Sequence, residues 1–470
     1  MRASKRLHEV SSNKRIASRT HSKRRKEKAG KQALVFTTLE RHFSGMGLND
    51  LITSTRVFPV TAQVELQKAL DQMVADYLDS RLIGLHQQWG HDTLVFAKLW
   101  VKENYPVLIG PLQYEEVDTG DEQPTRCLKE VLWIGHSKEM PFAVLLTREK
   151  QYGRAEGMCM EIAVPPGEEG LTFSRVLMTR AEKMVADGRT YRGRVLSLEE
   201  GRSHSGKAAA IRVHKLRKVG RDEVILPDKT LALLERNITE FIRHREKLAK
   251  LRLGLKKGLL FYGPPGTGKT HTIHYLASQL PDHTTLLITA EQVGLLEEYF
   301  SLARLLQPSI LVIEDADLIA RDRTSMHSPC AESLLNKLLN EMDGLREDAA
   351  VFFVLTTNRP EQLEMALAGR PGRIDQAIEF PLPDAEGRRK LTSLYARGIP
   401  IGAEVSEYIV SQTDGVSAAF IKELMRRAAQ CMLQEGDSQL AQKHVQLGLE
   451  ELLFAGGSLN AKLLGARVQS

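Results

Sequence analysis

The segment Gly263-Pro264-Pro265-Gly266-Thr267-Gly268-Lys269-Thr270 constrains this chain more than any other stretch of it. It follows an apolar run, 259–262, and precedes a segment of helical character, 271–280, so the sequence predicts a strand, a glycine-rich loop and a helix in succession. Glycines let backbone N–H groups curl around a phosphate, a lysine places positive charge on the β and γ oxygens, and a threonine hydroxyl is a ligand for Mg²⁺. The pattern therefore predicts a nucleotide-phosphate site.

Two apolar runs downstream end in polar residues. Residues 309–313 are followed by Glu314 and Asp315, and residues 351–355 are followed by a polar segment that includes Asn358. Buried strands of α/β proteins build their sites at the carboxyl ends of the strands. We therefore expect the two carboxylates and the Asn358 amide to lie beside the phosphate loop.

The succession of motifs resembles that of the AAA ATPases of the AAA+ superfamily. The segments that carry the resemblance span residues 224–455 and are, in order, GPPGTGKT, ILVIEDAD, LLNEMDGL, TTNRP, GRPGRID and TDGVSAAFIKELMRRAA. The resemblance implies the α/β fold class, with a P-loop AAA+ module in which helices flank a parallel sheet and a helical C-terminal lid follows. It also implies Mg²⁺-dependent ATP hydrolysis in a ring of identical subunits, a hexamer.

The same resemblance implies a role for each candidate residue. Asp315 would orient the attacking water, and two arginines would act on the ATP of the neighbouring subunit. Mg²⁺ would be held by Thr270 and Glu314. The catalytic set would be Asp315, Glu314, Asn358, Arg373 and Arg370. The ATP-binding set would be Gly263, Pro264, Pro265, Gly266, Thr267, Gly268, Lys269, Thr270 and, at the start of the lid, Gly415.

Three features depart from the family pattern. The acidic pair reads Glu314-Asp315 rather than Asp-Glu, an order that resembles the subgroup containing the mitochondrial Rieske-protein translocase. One residue more than the common spacing precedes Arg370. The segment Thr289–Phe300 is short and lacks the aromatic-hydrophobic-Gly pore loop, so we expect conformational cycling to act on whole domains or folded partners rather than by threading.

Composition shifts along the chain predict its domain organisation. Helical spacing of apolar residues in 61–78 and short apolar runs between Gly/Pro/Asp-rich breaks indicate an independent N-terminal domain. The predicted regions are a basic disordered tail over 1–33, an N-terminal mixed α/β recruitment domain over 34–215, a linker over 216–228, an AAA+ α/β nucleotide-binding domain over 229–385, and a helical lid with a C-terminal tail over 386–470.

Positive charge is concentrated at the beginning of the chain. Residues 1–31 carry twelve Lys or Arg and two acidic residues, whereas the remaining chain has 53 basic and 57 acidic residues. Such a tail is typical of a solvated disordered extension, of an electrostatic anchor for nucleic acid or an acidic partner, or of an organellar presequence. The sequence does not separate these three interpretations.

The cysteines and the apolar runs bear on localisation. Cys127, Cys159, Cys330 and Cys431 lie far apart without a CxxC pair, which indicates neither a disulfide scaffold nor a zinc site. The longest apolar runs are too short for a membrane span. We therefore expect a protein of the cytoplasm without a membrane span.

These observations predict an ATP-hydrolysing, ring-forming AAA ATPase. It would remodel or move a macromolecular partner, an unidentified protein, that the N-terminal domain recruits. One alternative is an ATP-binding switch or scaffold with little hydrolysis, which the inverted acidic order favours. Another is a nucleic-acid-directed ATPase, which the basic residues 1–31 favour.

Overall fold

The structure is a computed structural model. It describes residues 33–87, 92–103, 105–151, 154–200, 209–318, 337–338, 340–346, 348–361, 363 and 373–455. These residues form two compact units. The first comprises 33–116 and 126–185, and the second comprises 117–125 and the described residues from 186 onward.

The first unit is built on a six-stranded antiparallel sheet with the strand order β1-β8-β7-β6-β2-β3. Its strands are β1 Ile52–Pro59, β2 Ser80–His86, β3 Leu108–Gly110, β6 Val131–Ser137, β7 Met140–Gln151 and β8 Arg154–Val164, and β4 Tyr114–Val117 pairs with β5 Thr125–Leu128. The helices in this part of the chain are α1 Val35–His42, α2 Gln63–Ala75, α3 Phe96–Leu99 and α4 Glu168–Ala186.

Both faces of this antiparallel sheet are covered. Leu132 and Ile134 belong to the apolar cluster that includes Leu39 of α1, whereas Trp133, between them, makes edge-to-face contacts with Tyr77 and Phe142. Successive side chains of a strand point to opposite faces, so a continuous apolar strand must be buried on both. Trp133 is fully buried, as expected, and Trp89 lies outside the described residues.

The second unit contains a seven-stranded sheet with the strand order β10-β9-β12-β13-β14-β11-β15. All neighbouring strands run parallel except β10, which is antiparallel to β9. The strands are β9 Val195–Glu200, β10 Ala209–His214, β11 Lys257–Tyr262, β12 Thr284–Ile288, β13 Ser309–Ile313, β14 Val351–Thr357 and β15 Gln376–Glu379. Every residue of β13 and β14 is buried, which explains the apolar runs 310–313 and 351–355 within them.

Helices surround this parallel sheet and continue beyond it. They are α5 Asp228–Glu235, α6 Phe241–Arg243, α7 Arg245–Lys250, α8 Lys269–Gln279, α9 Leu296–Leu305, α10 Ala385–Tyr395, α11 Ala403–Gln412, α12 Ala418–Glu435 and α13 Gln442–Glu450. The last four enclose an apolar core of their own, in which Leu391, Phe420 and Leu424 are buried. We call residues 385–455 the C-terminal helical bundle. No helix of the described residues is both long and apolar enough to cross a bilayer.

Two strands that the predicted boundary at 215 assigns to the N-terminal domain belong instead to the second unit. The hairpin β9–β10 lies within 186–215, yet it extends the parallel sheet of the second unit through the pairing of Leu196 with Leu286 on β12. Leu196 and Leu198 are fully buried there. The boundary between the compact units thus falls at 185, because the apolar hairpin completes the edge of the second sheet.

A polar cluster links α12 to α13, the last two helices of the bundle. Lys443 Nζ lies 2.6 Å from Glu435 Oε2 and 2.7 Å from Asp437 Oδ2, and the buried His444 places Nε2 3.0 Å from Asp437 Oδ2. His444 Nδ1 accepts the backbone N–H of Ala441, so its proton is on Nε2 and is directed at the carboxylates. The Lys443 ammonium and the His444 ring thus satisfy the two carboxylates.

His283, which is buried directly before β12, should make the stability of the second unit depend on pH. Neither ring nitrogen has a hydrogen-bond partner among the described residues, and burial, followed by the charge of Arg245, lowers the pKa of His283. The unfolded chain therefore binds this proton more readily, so stability is full above the ordinary pKa and falls as the pH drops below it. We expect up to about 1.4 kcal/mol per pH unit from this group.

Urea unfolding between pH 7.5 and 5.5 measures this dependence. Far-UV circular dichroism follows both units, whereas tryptophan fluorescence reports on residues 89, 100 and 133 alone and serves as the internal control. His283→Leu should flatten the pH dependence of the circular-dichroism transition only. An unchanged slope in that variant would show that His283 does not titrate with unfolding.

Candidate nucleotide site

The phosphate loop connects β11 to α8 and has an unusual backbone conformation. Gly263, Gly266 and Gly268 have φ angles of 145°, 73° and 99°, which favour glycine. A Cβ on Gly263 would also lie 2.2 Å from the Phe380 carbonyl oxygen. The predicted strand, loop and helix are thus confirmed, and the three glycines are required by the path of the chain.

Lys269 is the first residue of α8 and is only 7% exposed. Its Nζ donates to the carbonyl oxygens of Gly263 and Pro264 at 2.8 and 2.9 Å. Burial lowers the pKa of Lys269 to about 8, and Asp315 and Asp317 oppose this shift. The ammonium therefore bonds to carbonyl oxygens of its own loop. A bound anion would raise the pKa of Lys269 back toward its ordinary value.

The two adjacent acids have different partners. Glu314 Oε1 accepts the Thr270 hydroxyl at 2.8 Å, whereas Asp315 Oδ1 accepts the Asn358 amide at 3.1 Å. The carboxyl end of β13 thus places Glu314 beside Thr270 of α8 and Asp315 beside Asn358, which follows β14. Thr270 and Glu314 offer adjacent oxygen atoms, the ligand type that Mg²⁺ prefers.

Asp315 has a strained backbone. Its φ of 49° lies in the left-handed region that non-glycine residues rarely adopt. The backbone N–H of Asp315 donates to Thr356 Oγ1 at 3.0 Å, which helps hold this conformation. Backbone strain of this kind is maintained by the surrounding structure and is typical of functional sites.

Asp317 is buried next to the site and bonds to the end of β14. It is 3% exposed and accepts the hydroxyl of Thr357 at 2.9 Å. The Thr357 oxygen in turn accepts the backbone N–H of Arg359 at 2.9 Å. From the sequence, Asp317 is either a site residue or a helix cap. In the structure it bonds to the end of β14, directly before Asn358.

A cavity of about 370 Å³ lies over the phosphate loop. Beyond the loop, Asp315 and Asn358, its walls include residues that sequence reasoning did not assign to the site: Glu223, Val224, Ile225, Leu226, His271, Thr272, Thr356, Leu391, Tyr395, Ala418, Ala419 and Lys422. The lining combines the polar phosphate loop with apolar side chains such as Val224, Leu226 and Leu391. This combination suits a nucleotide, whose phosphates are charged and whose base has flat apolar faces.

Residues 223–226 join the two cores of the second unit at the cavity. Val224 is buried in the core of the sheet, whereas the next residue, Ile225, packs against the core of the helical bundle. His271 Nε2 lies 3.2 Å from the Glu223 carbonyl oxygen. This segment was predicted to be part of a linker; in the structure it forms a cavity wall.

Arg373 lies apart from this cavity. Its side chain is 5% exposed and makes a bidentate ion pair with Asp343, with Nε donating to Oδ1 at 3.0 Å. Its Nη1 is buried and has no acceptor among the described residues. Arg370 falls outside the described residues. Gly415 has a φ of 68° in the loop before α12 and does not line the cavity.

The short segment after β12 is folded inward. Ala290–Leu295 forms a 3-10 helix that leads directly into α9. Leu295 is 2% exposed and Leu296 is fully buried, as are Tyr299 and Phe300. Tyr299 also accepts the backbone N–H of Leu198 on β9 at 2.7 Å. These four side chains are core residues of the second unit.

A parallel sheet with a glycine-rich loop after one strand and paired acids after another defines a P-loop nucleotide-binding domain. Residues 259–382 match the family described as ATPase family associated with various cellular activities (AAA). The chain therefore contains an AAA ATPase domain, as its motifs predict.

Two curated relatives share this region. The chain is 30% identical over 234 residues to the ATP-dependent zinc metalloprotease FtsH of Thermus thermophilus. It is 34% identical over 214 residues to the ATPase family gene 2 protein homolog A of Homo sapiens. These matches cover 47% and 43% of this chain but only 37% and 24% of the two relatives.

Proposed function

We propose that this protein hydrolyses ATP in the cavity over the phosphate loop. The observation that carries the proposal is that Lys269, Thr270, Asp315 and Asn358 all line this cavity. Glu314 is bonded to Thr270, and Asp315 is bonded to Asn358. Phosphoryl transfer needs mainly positioning and charge stabilisation, and these groups can supply both.

Glu314 and Asp315 have different roles in this proposal. Glu314, bonded to Thr270, would hold Mg²⁺ together with that hydroxyl, and the ion would neutralise charge on the phosphates. Asp315 faces Asn358 instead, so its carboxylate orients the attacking water while the amide holds the acid in place. The inverted acidic order thus fits a working site, as in the Rieske-protein translocase subgroup.

Replacing Asp315 by asparagine tests this division. The substituted side chain would keep its size and an oxygen for the Asn358 amide, but it would lose the charge that orients water. We expect ATP affinity within a few-fold of wild type and turnover lower by about 10²–10⁴-fold. Equilibrium binding and single-turnover phosphate release measure the two quantities separately.

Glu314→Gln is the matched control for this experiment. It should weaken the Mg²⁺ dependence of ATP binding, because Glu314 is the acid next to Thr270. Wild-type turnover in Asp315→Asn combined with lost turnover in Glu314→Gln would assign the water to Glu314 instead.

We further propose a ring of identical subunits, with a protein partner recruited by the first unit. The buried positions of Leu295, Leu296, Tyr299 and Phe300 favour action on folded partners, since none of these side chains is available to grip a threaded chain. Ser substitutions at Leu295 and Leu296 would therefore test the stability of the core rather than contact with a threaded chain.

The second candidate function is an ATP-binding switch with little hydrolysis. It is favoured because the strained Asp315 carries a side chain one methylene shorter than the usual glutamate.

A further inference from the structure

The two edges of the six-stranded sheet in the first unit differ. The edge formed by β3 is covered, because Ile109 donates its N–H to the Ala33 carbonyl oxygen at 2.9 Å and Val35 donates its N–H to the Val107 carbonyl oxygen at 3.1 Å. β1 lies at the other edge, where β8 is its one neighbour in the described part of the sheet. The sheet is therefore covered at β3 and open at β1.

The backbone groups of Thr53, Thr55 and Val57 point out of this open edge. In an antiparallel sheet the N–H and C=O of one residue point to the same side, and successive residues alternate. The bonds between β3 and the segment 33–35 fix this alternation, and the strand registers carry it across the sheet to β1. Among the described residues, these outward backbone groups and the two threonine hydroxyls make no hydrogen bond.

The open stretch is short and symmetrical about Thr55. It ends on one side at Leu51, whose N–H is already bonded within the preceding turn, and on the other side at Pro59, which has no N–H. The side chains of Thr53, Thr55 and Val57 are all exposed. An exposed edge of β-branched residues is a template for another strand.

The charge of Arg56 does not protect this edge. Charged side chains on an edge strand usually oppose pairing with another strand. Arg56, however, forms an ion pair with Glu182 of α4, on the face of the sheet where Phe58 is buried. Its charge is therefore balanced within its own unit and lies on the face opposite to the threonine side chains.

We propose that β1 pairs antiparallel with β1 of a second copy of this chain, about a two-fold axis at Thr55, so that the two sheets become one. In this register Thr55 lies opposite Thr55 of the second copy, and Thr53 lies opposite Val57. Thr–Thr pairs across strands stabilise a sheet, whereas like charges directly opposite destabilise it. Ser54 lies opposite Arg56, so no like charges face each other directly.

The symmetry of the open stretch favours a second copy over an unrelated strand. The register centred on Thr55 gives an acceptor to all three free N–H groups of each copy, about six hydrogen bonds in total. Registers centred on Thr53 or Val57 would leave some of these groups unpaired. Because neighbours in a cyclic ring are not related by a two-fold axis, this pairing would join two of the proposed rings. The inference concerns the first unit and does not depend on ATP hydrolysis.

The test is sedimentation velocity of the nucleotide-free full chain over a range of concentrations, which measures the association step that doubles the mass. Thr55→Lys and Thr55→Glu each place like charges opposite one another at the two-fold axis. We expect each variant alone to weaken this step about fivefold or more. An equimolar mixture of the two variants should associate at least as tightly as the wild type, because the introduced lysine then faces the introduced glutamate.

Thr172→Lys is the matched control, because Thr172 is an exposed threonine of α4 that lies about 15 Å along the helix from Glu182. It should associate like the wild type. A wild-type chain that shows no such mass doubling would overturn the inference, as would doubling that neither substitution at Thr55 weakens. Weakening in both variants without rescue in the mixture would also overturn it, since an edge that binds another kind of strand gives that result.

Discussion

Lys269→Ala will abolish detectable ATP hydrolysis and weaken ATP binding by about 10³-fold, since two or more charge-assisted bonds to phosphate are lost at about 1.5–3 kcal/mol each. Lys269 is the buried cation of the loop, and its Nζ already lies among the loop carbonyls that shape the site. Alanine also removes the lysine donor from both carbonyl oxygens and leaves Pro264 with only the Thr267 hydroxyl, so the loop itself is weakened.

Lys257→Ala controls for the loss of a lysine from the same strand–loop–helix segment. Lys257 begins β11, and its Nζ lies 4.5 Å from the centre of the Phe241 ring rather than in the cavity. This variant should bind ATP normally. If Lys269→Ala bound ATP as tightly as wild type in equilibrium titrations, the phosphate-loop assignment would be wrong.

Arg373→Ala is expected to keep ATP binding and to lose about 10³–10⁵-fold in hydrolysis, the range that arginine fingers contribute in related phosphoryl transfers. Arg373 does not line the cavity of its own chain, so we expect its guanidinium to contact the ATP of a neighbouring subunit in the proposed ring. Mixing Arg373→Ala with Lys269→Ala should restore part of the activity, because each change spares one kind of interface. Phosphate release by mixed and unmixed samples measures the rescue.

The ion pair with Asp343 provides the control for this experiment. Asp343→Ala breaks the same ion pair but leaves the guanidinium, so it measures how much of the lost activity is due to the broken pair alone. Because this variant leaves the buried guanidinium without its carboxylate, it should be less stable than the wild type. Equal losses of hydrolysis in the two variants, with no rescue on mixing, would make Arg373 a structural residue only.

Local patterns predict much of the candidate site. The phosphate loop, the buried strands β13 and β14 and the polar residues at their ends follow from short-range sequence rules, and the structure brings Lys269, Asp315 and Asn358 together as expected. The reason is that parallel strands of one sheet align their carboxyl ends, so residues distant in sequence become neighbours without further information.

Features that depend on long-range packing were not predictable. The β9–β10 hairpin has ordinary strand character, and nothing local indicates that β9 will pair with β12 rather than with the first sheet. The role of 223–226 depends on two cores that meet there. Lys422 was unassigned because its place at the cavity follows from the docking of α12 on Gly266, a contact between segments far apart in the sequence.

Phosphate release from Mg²⁺-ATP by the purified full chain tests most directly whether this cavity hydrolyses ATP. We expect Mg²⁺-dependent release that rises more steeply than linearly with protein concentration, since Arg373 would act between subunits of the proposed ring. Lys269→Ala prepared in parallel should release no phosphate. Tight ATP binding without phosphate release, at any protein concentration, would contradict hydrolysis and leave the site as a nucleotide switch.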